Sequence, residues 1–172
     1  MRWFRLAAEQ GYPDAEYSLG VAYARGEGLP RDGARAIKWL HKAAEQGEVN
    51  AMHRLARELH KKAARKAEFR EAARWYRKAA DQNYPLAQNN LGALYERGAG
   101  VPKDTSAAFE LYKKAAEAGY PVAQRNLAAL YANGSGPEQS DVQAFDWMKR
   151  AAANGDPPAM EDRKSTRLNS SH

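Results

Sequence analysis

The chain has 172 residues and a formal net charge of +6, with 44% hydrophobic and 28% charged residues. This composition indicates a soluble protein with a hydrophobic core, and no stretch approaches the roughly 18 apolar residues of a membrane-spanning helix. Because the sequence has no cysteine, it excludes disulfides and thiolate chemistry, and its four histidines leave little from which to build a metal site.

The sequence repeats itself every 36 residues without a gap, beginning with a partial unit at 1–14. Trp3 and the pair Ala7–Ala8 of this partial unit match aromatic residues and paired alanines in the same places later on. Four complete units follow, and each begins with alanine and has leucine at its fifth position. The predicted units are 15–50, 51–86, 87–122 and 123–158, with 159–161 as the truncated start of a further one.

Each unit is predicted to form two helices. In the unit at 87–122, Ala87, Leu91 and Tyr95 are spaced four apart and therefore share one helix face. One helix pair cannot bury its own apolar stripe, so neighbouring units are expected to supply each other's core, with aromatic residues such as Trp75 and Trp147 filling the gaps. The predicted first helices lie near 14–25, 50–61, 86–97 and 122–133. The predicted second helices lie near 2–10, 33–46, 68–81, 105–118 and 141–153.

A glycine segment separates the two helices in three of the units: GEGLPR at 26–31, GAGVPK at 98–103 and GSGPEQ at 134–139. In the second of these, Gly98, Gly100 and Lys103 have the spacing G-x-G-x-x-K, which is similar to that of a phosphate-binding loop. A phosphate-binding loop normally follows a strand, whereas each of these segments follows a predicted helix. The segments are therefore predicted to be inter-helix turns, with Asp104 as the N-cap of the helix that follows.

The unit at 51–86 concentrates the positive charge of the chain. Residues 53–78 contain ten lysines and arginines against three glutamates, whereas the remainder, apart from the last residues, is net acidic. This unit also lacks the glycine segment, which is replaced by HKKAARKAEF. Because the replacement has high helix propensity, the first helix of this unit is predicted to continue past Lys62 before the chain turns.

The last eleven residues, DRKSTRLNSSH, break the repeat pattern. They resemble the translation of a sequencing adapter, so 162–172 is predicted to be a non-native, disordered tail. The sequence is accordingly expected to be a metagenomic fragment of a bacterial protein. Because the leading unit at 1–14 has only its second helix, the true N-terminus is expected to lie further upstream.

The repeated pattern resembles the Sel-one-like repeat (SLR) family. The unit that matches best is AQNNLGALYERGAGVPKDTSAAFELYKKAAEAGYPVA at 87–123, and the resemblance covers about 1–160. It implies an all-α fold, a right-handed α/α solenoid of helix-turn-helix repeats related in shape to tetratricopeptide repeats. It also implies a protein–protein interaction scaffold or adaptor that presents a concave helical surface to a peptide or protein.

By analogy with tetratricopeptide repeats, the first helices line the concave surface, and their inward positions form a row that is rich in cations. Such a row could hold acidic side chains or a terminal carboxylate of a partner, and the other interpretation is a solvated face that tolerates lysine and arginine. The candidate partner-binding residues are Tyr17, Arg25, His53, Arg57, Lys61, Asn89, Arg97, Arg125 and Asn133.

Other functions lack their motifs in this sequence. There is no H-E-x-x-H, G-x-S-x-G or S-x-x-K, so no enzyme activity and no catalytic residue is predicted. His53 and His60 have no third ligand nearby, so neither a metal nor a cofactor is expected. No nucleic-acid-binding motif accompanies the basic stretch, which favours a protein or peptide partner over a nucleic acid. The alternative to a scaffold is a non-catalytic spacer or a regulatory segment of a larger multidomain protein.

Overall fold

A computed structural model of the chain describes residues 2–63 and 66–157. Within these residues every regular element is an α-helix, and the helix bounds agree with the predicted ones to within two residues. The predicted start of a further unit at 159–161 and the predicted tail at 162–172 lie outside the described residues. The helices are α1 Arg2–Glu9, α2 Pro13–Arg25, α3 Gly33–Glu45, α4 Val49–Lys62, α5 Lys66–Ala80, α6 Pro85–Arg97, α7 Thr105–Glu117, α8 Pro121–Asn133 and α9 Asp141–Ala153.

The helices are grouped into two compact units. Unit 1 consists of the described residues of Met1–Tyr84 together with Ala99–Val101, and unit 2 of those of Pro85–Gly98 and Pro102–His172. In unit 1, each of the helices α1 to α4 packs against the next helix in the chain, and α2 also contacts α4. In unit 2, α6 to α9 pack in the same successive manner. The grouping of 1–161 into a single array stays a prediction.

Local chemistry sets the helix boundaries. Proline is the first residue of α2, α6 and α8, where its missing N–H group needs no intrahelical partner. The side chains of Asp32, Asp104 and Ser140 accept hydrogen bonds from backbone N–H groups in the first turns of α3, α7 and α9. After each second helix the backbone is left-handed, a conformation that favours glycine. The residues at this position are Gly11, Gly47, Asn83, Gly119 and Gly155.

The glycine segments form turns between helices, which confirms that prediction. The Asp104 backbone N–H donates to the Tyr95 carbonyl at 3.0 Å, and the same bond recurs at the other two glycine turns. Gly98 and Gly100 both have positive φ, of 68° and 73°. Gly100 also lies against the backbone of α5, because a Cβ atom placed on it would come within 2.3 Å of the Phe69 carbonyl carbon. Gly100 is therefore needed both for the conformation of the turn and for its close contact with the backbone of α5.

The connection between α4 and α5 differs from the prediction. The first helix does not continue past Lys62: α4 ends there, and the backbone of Ala63 is extended. Instead α5 begins at Lys66, three positions earlier in its repeat than α3, α7 and α9. The other units carry a proline just before the second helix, whereas the residues from Lys66 to Glu68 are good helix formers. The added helical residues therefore extend α5 at its N-terminal end, whereas α4 is hardly lengthened.

The core of each unit combines small residues with large aromatic ones. In unit 1, Ala36, Ala51 and Ala72 are fully buried between helices, and Trp75 and Tyr76 are buried with them. In unit 2 the core likewise combines Ala108, Ala115 and Ala123 with the aromatic residues Phe109, Tyr112 and Trp147. The tryptophans at 75 and 147 are thus packing residues, as predicted.

Candidate functional site

The nine candidate partner-binding residues lie on the first helices, α2, α4, α6 and α8, at three recurring positions. The earliest position in each helix holds Tyr17, His53, Asn89 and Arg125. The middle position contributes Arg57. The last position holds Arg25, Lys61, Arg97 and Asn133.

The earliest position is largely used for packing between helices. In unit 1 the His53 ring is buried, and its centroid lies 5.3 Å from that of Tyr84. In unit 2 Arg125 Nε lies 2.7 Å from Asp156 Oδ2, and Asp156 is only 4% exposed. His53 and Tyr84 are 31 residues apart, as are Arg125 and Asp156, so both contacts join a first helix to the segment that follows the second helix of the same repeat. These side chains connect the first helix to the end of its own repeat.

Asn89 is buried as well, in unit 2. Its Oδ1 accepts a hydrogen bond of 2.9 Å from Nδ2 of Asn126, which joins α6 to α8. A partner cannot reach Asn89 or His53 without displacing their present contacts. The accessible part of the predicted surface is formed by the middle and last positions, together with the half-buried Tyr17 in unit 1 and the half-buried Arg125 in unit 2.

His53 does not contribute to the positive charge of this surface. Burial, together with the nearby charges of Arg57 and Arg54, lowers the pKa of its imidazole to about 4. The ring is therefore neutral at pH 7. The sequence placed His53 in a row of cations because it could not show that aromatic rings cover it.

The densest group of charges lies on α4, where Arg54, Arg57, Glu58 and Lys61 are spaced three and four residues apart. Glu58 Oε1 lies 3.5 Å from Arg54 Nε and 3.1 Å from Lys61 Nζ. The side chains of Arg54 and Glu58 are only 10% and 9% exposed, whereas that of Lys61 is 52% exposed. On α4, two of the three cations, Arg54 and Lys61, therefore pair with one buried carboxylate, and Arg57 has no carboxylate of its own on this helix.

Arg54 and Glu58 were not among the predicted site residues. Their spacing of four residues is the usual one for an ion pair on a helix, and this signal was present in the sequence. Most such pairs are exposed to solvent. The burial of this one comes from the contact of α4 with α2 and α5, which the spacing alone does not reveal.

Helix α2 adds two of the predicted residues to this group. Burial is the main reason that the pKa of Arg54 is lowered, and Arg57 lowers it further while Glu58 acts in the opposite direction. The side chains of Arg25 and Tyr17 on α2 also shift the pKa of Arg54, so both lie within electrostatic range of the Arg54 guanidinium. We call this group the α2–α4 face. It consists of Tyr17, Arg25, Arg54, Arg57, Glu58 and Lys61.

Two hydrogen-bond donors in the α2–α4 face have no acceptor among the residues that the structure describes. The Nε atoms of Arg54 and Arg57 are buried and, in the described part of the chain, are not hydrogen-bonded. Glu58 is close to Arg54, but the pair is ionic and lacks the alignment of a hydrogen bond at Nε. Because a buried donor without a partner is costly, such groups are uncommon in folded proteins.

Unit 2 has a weaker version of this surface. Arg97 is exposed in the last turn of α6, and Asn133 uses its Oδ1 to accept a 2.9 Å hydrogen bond from the backbone N–H of Ser135. The position of Arg57 is occupied by Ala93 in α6 and by Ala129 in α8. Among the first helices, the dense cationic group is therefore a feature of unit 1.

The basic stretch at 53–78 divides between two surfaces of unit 1. On α4, Arg54, Arg57 and Lys61 belong to the α2–α4 face, whereas Lys62 lies near Gly33 at the start of α3. On α5, Arg70, Arg74 and Lys78 line a groove of about 500 Å³ between α3 and α5, together with Glu45 and Glu71. The two glutamates offset much of the positive charge of this groove. The sequence predicted a single basic patch, because it does not show that the cations of α4 and those of α5 belong to different surfaces.

The residues that the structure describes contain neither a candidate metal centre nor a candidate membrane span. In residues 2–63 and 66–157, no group of three or more histidine, aspartate and glutamate side chains could hold a metal ion. No helix in these ranges combines the length and apolar character needed to cross a bilayer.

Comparisons with known proteins agree with the repeat period. The profile of the family described as Sel1 repeat matches residues 1–12, 13–48, 49–84, 85–120 and 121–156. These repeats start two residues before the units defined from the sequence, because they begin at the first residue of the first helix, as at Pro13, rather than at the recurring alanine. No curated protein matches the chain.

Solved structures of Sel1 repeat proteins resemble the chain over most of its length. A Sel1 repeat protein from Oxalobacter formigenes is 35% identical with a TM-score of 0.84, over 92% of this chain and 63% of that one. The protein c5321, a protective antigen present in uropathogenic Escherichia coli strains, displays an SLR fold and is 34% identical with a TM-score of 0.81. That match covers 92% of this chain and 34% of c5321. PA5086 from Pseudomonas aeruginosa is 21% identical with a TM-score of 0.62, which shows a shared fold alone.

The chain thus spans about a third of c5321 and less than two thirds of the Oxalobacter formigenes protein. The family profile accounts for nearly all of its described residues, and both relatives have the same fold. The chain belongs to the Sel1 repeat family, which confirms the predicted all-α solenoid fold class.

Proposed function

We propose that the chain is a protein-interaction scaffold or adaptor whose α2–α4 face binds a peptide or protein segment of acidic character. Sel1 repeats commonly serve as scaffolds for protein interactions, which supports the general role. The observation that carries the specific proposal is the charge of this face. Arg54 and Lys61 pair with the buried carboxylate of Glu58, while Arg57 adds a further positive charge. Arg25, which pairs with the exposed Glu27, lies nearby. An acidic segment would offset the excess positive charge.

The proposed binding surface includes four of the nine residues expected from the sequence. Tyr17, Arg25, Arg57 and Lys61 belong to the α2–α4 face of unit 1. Arg97, Arg125 and Asn133 would give unit 2 a separate and less charged surface. His53 and Asn89 would act indirectly, because they position the helices that carry the binding residues.

A second candidate is a non-catalytic spacer or regulatory segment within a longer protein. The greater length of both relatives supports this alternative. Both candidates are non-enzymatic, in keeping with the lack of the common hydrolase and metalloprotease motifs in the sequence. They differ in whether the α2–α4 face binds a partner, so a binding measurement separates them.

The test is a charge reversal of the α2–α4 face. Peptides are selected on the wild-type chain from a random library, and their affinities are then measured by fluorescence anisotropy. We expect the selected peptides to be rich in aspartate and glutamate. The double variant Arg57→Glu/Lys61→Glu should bind them at least about tenfold more weakly, because attraction between opposite charges becomes repulsion.

The matched control is Lys38→Glu/Arg74→Glu, which makes the same charge change on α3 and α5. Both residues are exposed, and their equivalents in unit 2 are Glu110 and Asp146, so acidic side chains suit this position. The control should bind like the wild type. Equal affinities of all three proteins would contradict the proposed function and would favour the spacer or regulatory segment.

A further inference from the structure

The α2–α4 face contains a more specific feature than its charge. Arg57 lies on α4 with its Nε–H buried and without an acceptor, although the residue as a whole is only half-buried. Its nearest carboxylate on the same helix, that of Glu58, is already engaged by Arg54 and Lys61. The guanidinium of Arg57 is therefore a charged donor whose natural acceptor is not supplied by the described residues.

The chemistry of the guanidinium defines what would fit beside it. Its planar donors, Nε–H and the neighbouring Nη–H, match the two oxygens of a carboxylate, and a lysine ammonium cannot reproduce this fork. Arg54, which is held by Glu58, adds a second fixed positive charge and a second unfilled Nε–H on the same face of α4. A carboxylate would satisfy the hydrogen bond and neutralise charge at the same time.

We propose that Arg57, supported by Arg54, is a carboxylate-binding site that receives a single carboxylate group of the partner. The site rests on the proposed function, and it identifies the group that the α2–α4 face recognises. Since Arg57 is half-buried, part of its side chain is open to solvent, and a rotation of this flexible side chain can present Nε–H to an incoming group. The carboxylate can come from an acidic side chain or from a chain terminus, and both sources share this chemistry.

The first experiment observes the site directly by NMR. The ¹H–¹⁵N signals of the arginine Nε–H groups are recorded, and those of Arg54 and Arg57 are assigned by their loss in Arg54→Lys and Arg57→Lys variants. Two probes are then titrated: an acetylated and amidated peptide of glutamates, and an acetylated glycine–serine peptide with a free terminal carboxylate. We expect the Arg57 signal to move downfield as its Nε–H gains an acceptor.

The two probes separate the sources of the carboxylate. A response to the glutamate peptide alone supports recognition of side chains, and a response to the glycine–serine peptide supports recognition of a terminus. The amidated form of the glycine–serine peptide serves as the blank. Binding of either probe with an unchanged Arg57 signal would overturn the inference.

The second experiment compares affinities after a substitution that preserves charge. Arg57→Lys keeps the positive charge and removes the fork, so the peptides selected on the wild type should bind about tenfold more weakly. Arg74→Lys, the same exchange at an exposed position of α5, should leave binding unchanged. If Arg57→Lys binds as well as the wild type while Arg57→Glu/Lys61→Glu does not, the carboxylate site is refuted and the proposed function stands. If the wild type binds no peptide, the proposed function itself fails.

Discussion

Arg57 is an exception among the residues at its repeat position. The equivalents in the other first helices are Val21, Ala93 and Ala129, all small or apolar. A structural requirement at this position is therefore met by an apolar side chain, and a buried guanidinium is not needed for stacking. The Nε–H of Arg57 without an acceptor is more readily explained by binding than by stability.

This argument predicts opposite effects of Arg57→Met on stability and on binding. The apolar side chain retains the volume of the arginine stem and removes a buried donor, so the free energy of unfolding should rise by about 1 kcal/mol. Glu58 keeps Arg54 and Lys61 as partners, so no carboxylate is left unpaired. The measurement is urea unfolding followed by circular dichroism, alongside peptide binding, which should be lost. A loss of stability of similar size would identify Arg57 as a structural residue.

His53 gives a prediction about pH. In the unfolded chain it takes up a proton near its ordinary pKa of 6.5, whereas in the folded protein burial delays protonation to about pH 4. The unfolded state therefore binds more protons between these values, and stability is lost as the pH falls from about 6.5 to 4. The loss should be on the order of 2 kcal/mol.

The contribution of His53 is isolated by comparison with His53→Asn, which introduces the residue found at the equivalent position 89. Carboxylates also titrate in this range, so the relevant quantity is the difference between the two proteins. The unfolding free energy of the variant should depend less steeply on pH between 4 and 6.5. Parallel pH curves would show that the His53 pKa is not lowered by folding.

At the level of single residues, the sequence predicted where a residue lies along its helix better than which side chains surround it. The repeat period placed Tyr17, His53 and Asn89 at equivalent points of the first helices. It could not show that His53 lies among aromatic rings or that Asn89 bonds to Asn126, because both depend on which side chains neighbouring helices bring there. The buried pair of Arg54 and Glu58 was missed for the same reason.

Helices and turns were the features that the sequence predicted most closely. Caps, prolines and left-handed glycines act locally, so they fix the helix ends without reference to the rest of the molecule. The connection after α4 was the exception. There the sequence offers helix formers on both sides of the turn, and propensity does not decide which helix takes them.

The glycine turn gives the prediction at the scale of elements. Gly100→Ala places a Cβ atom against the Phe69 backbone at a positive φ, and neither backbone can move away easily. The free energy of unfolding should fall by more than about 2 kcal/mol. Gly47→Ala is the matched control, because Gly47 also has a positive φ but its Cβ would meet nothing within 4 Å. It should lose only about 1 kcal/mol.

Thermal and urea unfolding of both glycine variants measure this difference. A larger loss for Gly100→Ala would show that the turn is held by its contact with α5. Equal losses would mean that the close approach of Gly100 to Phe69 does not persist in solution.

At the scale of the whole molecule, the distribution of charge matters more than its sum. The net charge of +6 conceals a stretch, 53–78, that holds ten cations against three acids, within an otherwise nearly balanced chain. The sequence showed this concentration directly. It did not show the division into two compact units, because the recurring columns are the same on either side of it.

The charge distribution predicts that binding depends on salt. Raising the ionic strength from about 0.05 M to about 0.5 M should weaken the binding of acidic peptides several-fold, because it screens the exposed charges of Arg25 and Lys61. The buried partners Arg54 and Glu58 are screened less, so some binding should remain. Titrations at a series of salt concentrations measure the effect, and affinity that does not change with salt would contradict an electrostatic surface.

The central claim is that an acidic partner binds on the α2–α4 face of unit 1. Hydrogen–deuterium exchange of the chain with and without a selected acidic peptide locates the contact most directly. The account predicts that protection on binding is concentrated in α2 and α4, around Arg25, Arg57 and Lys61. Protection confined to α3 and α5, or to unit 2, would contradict it.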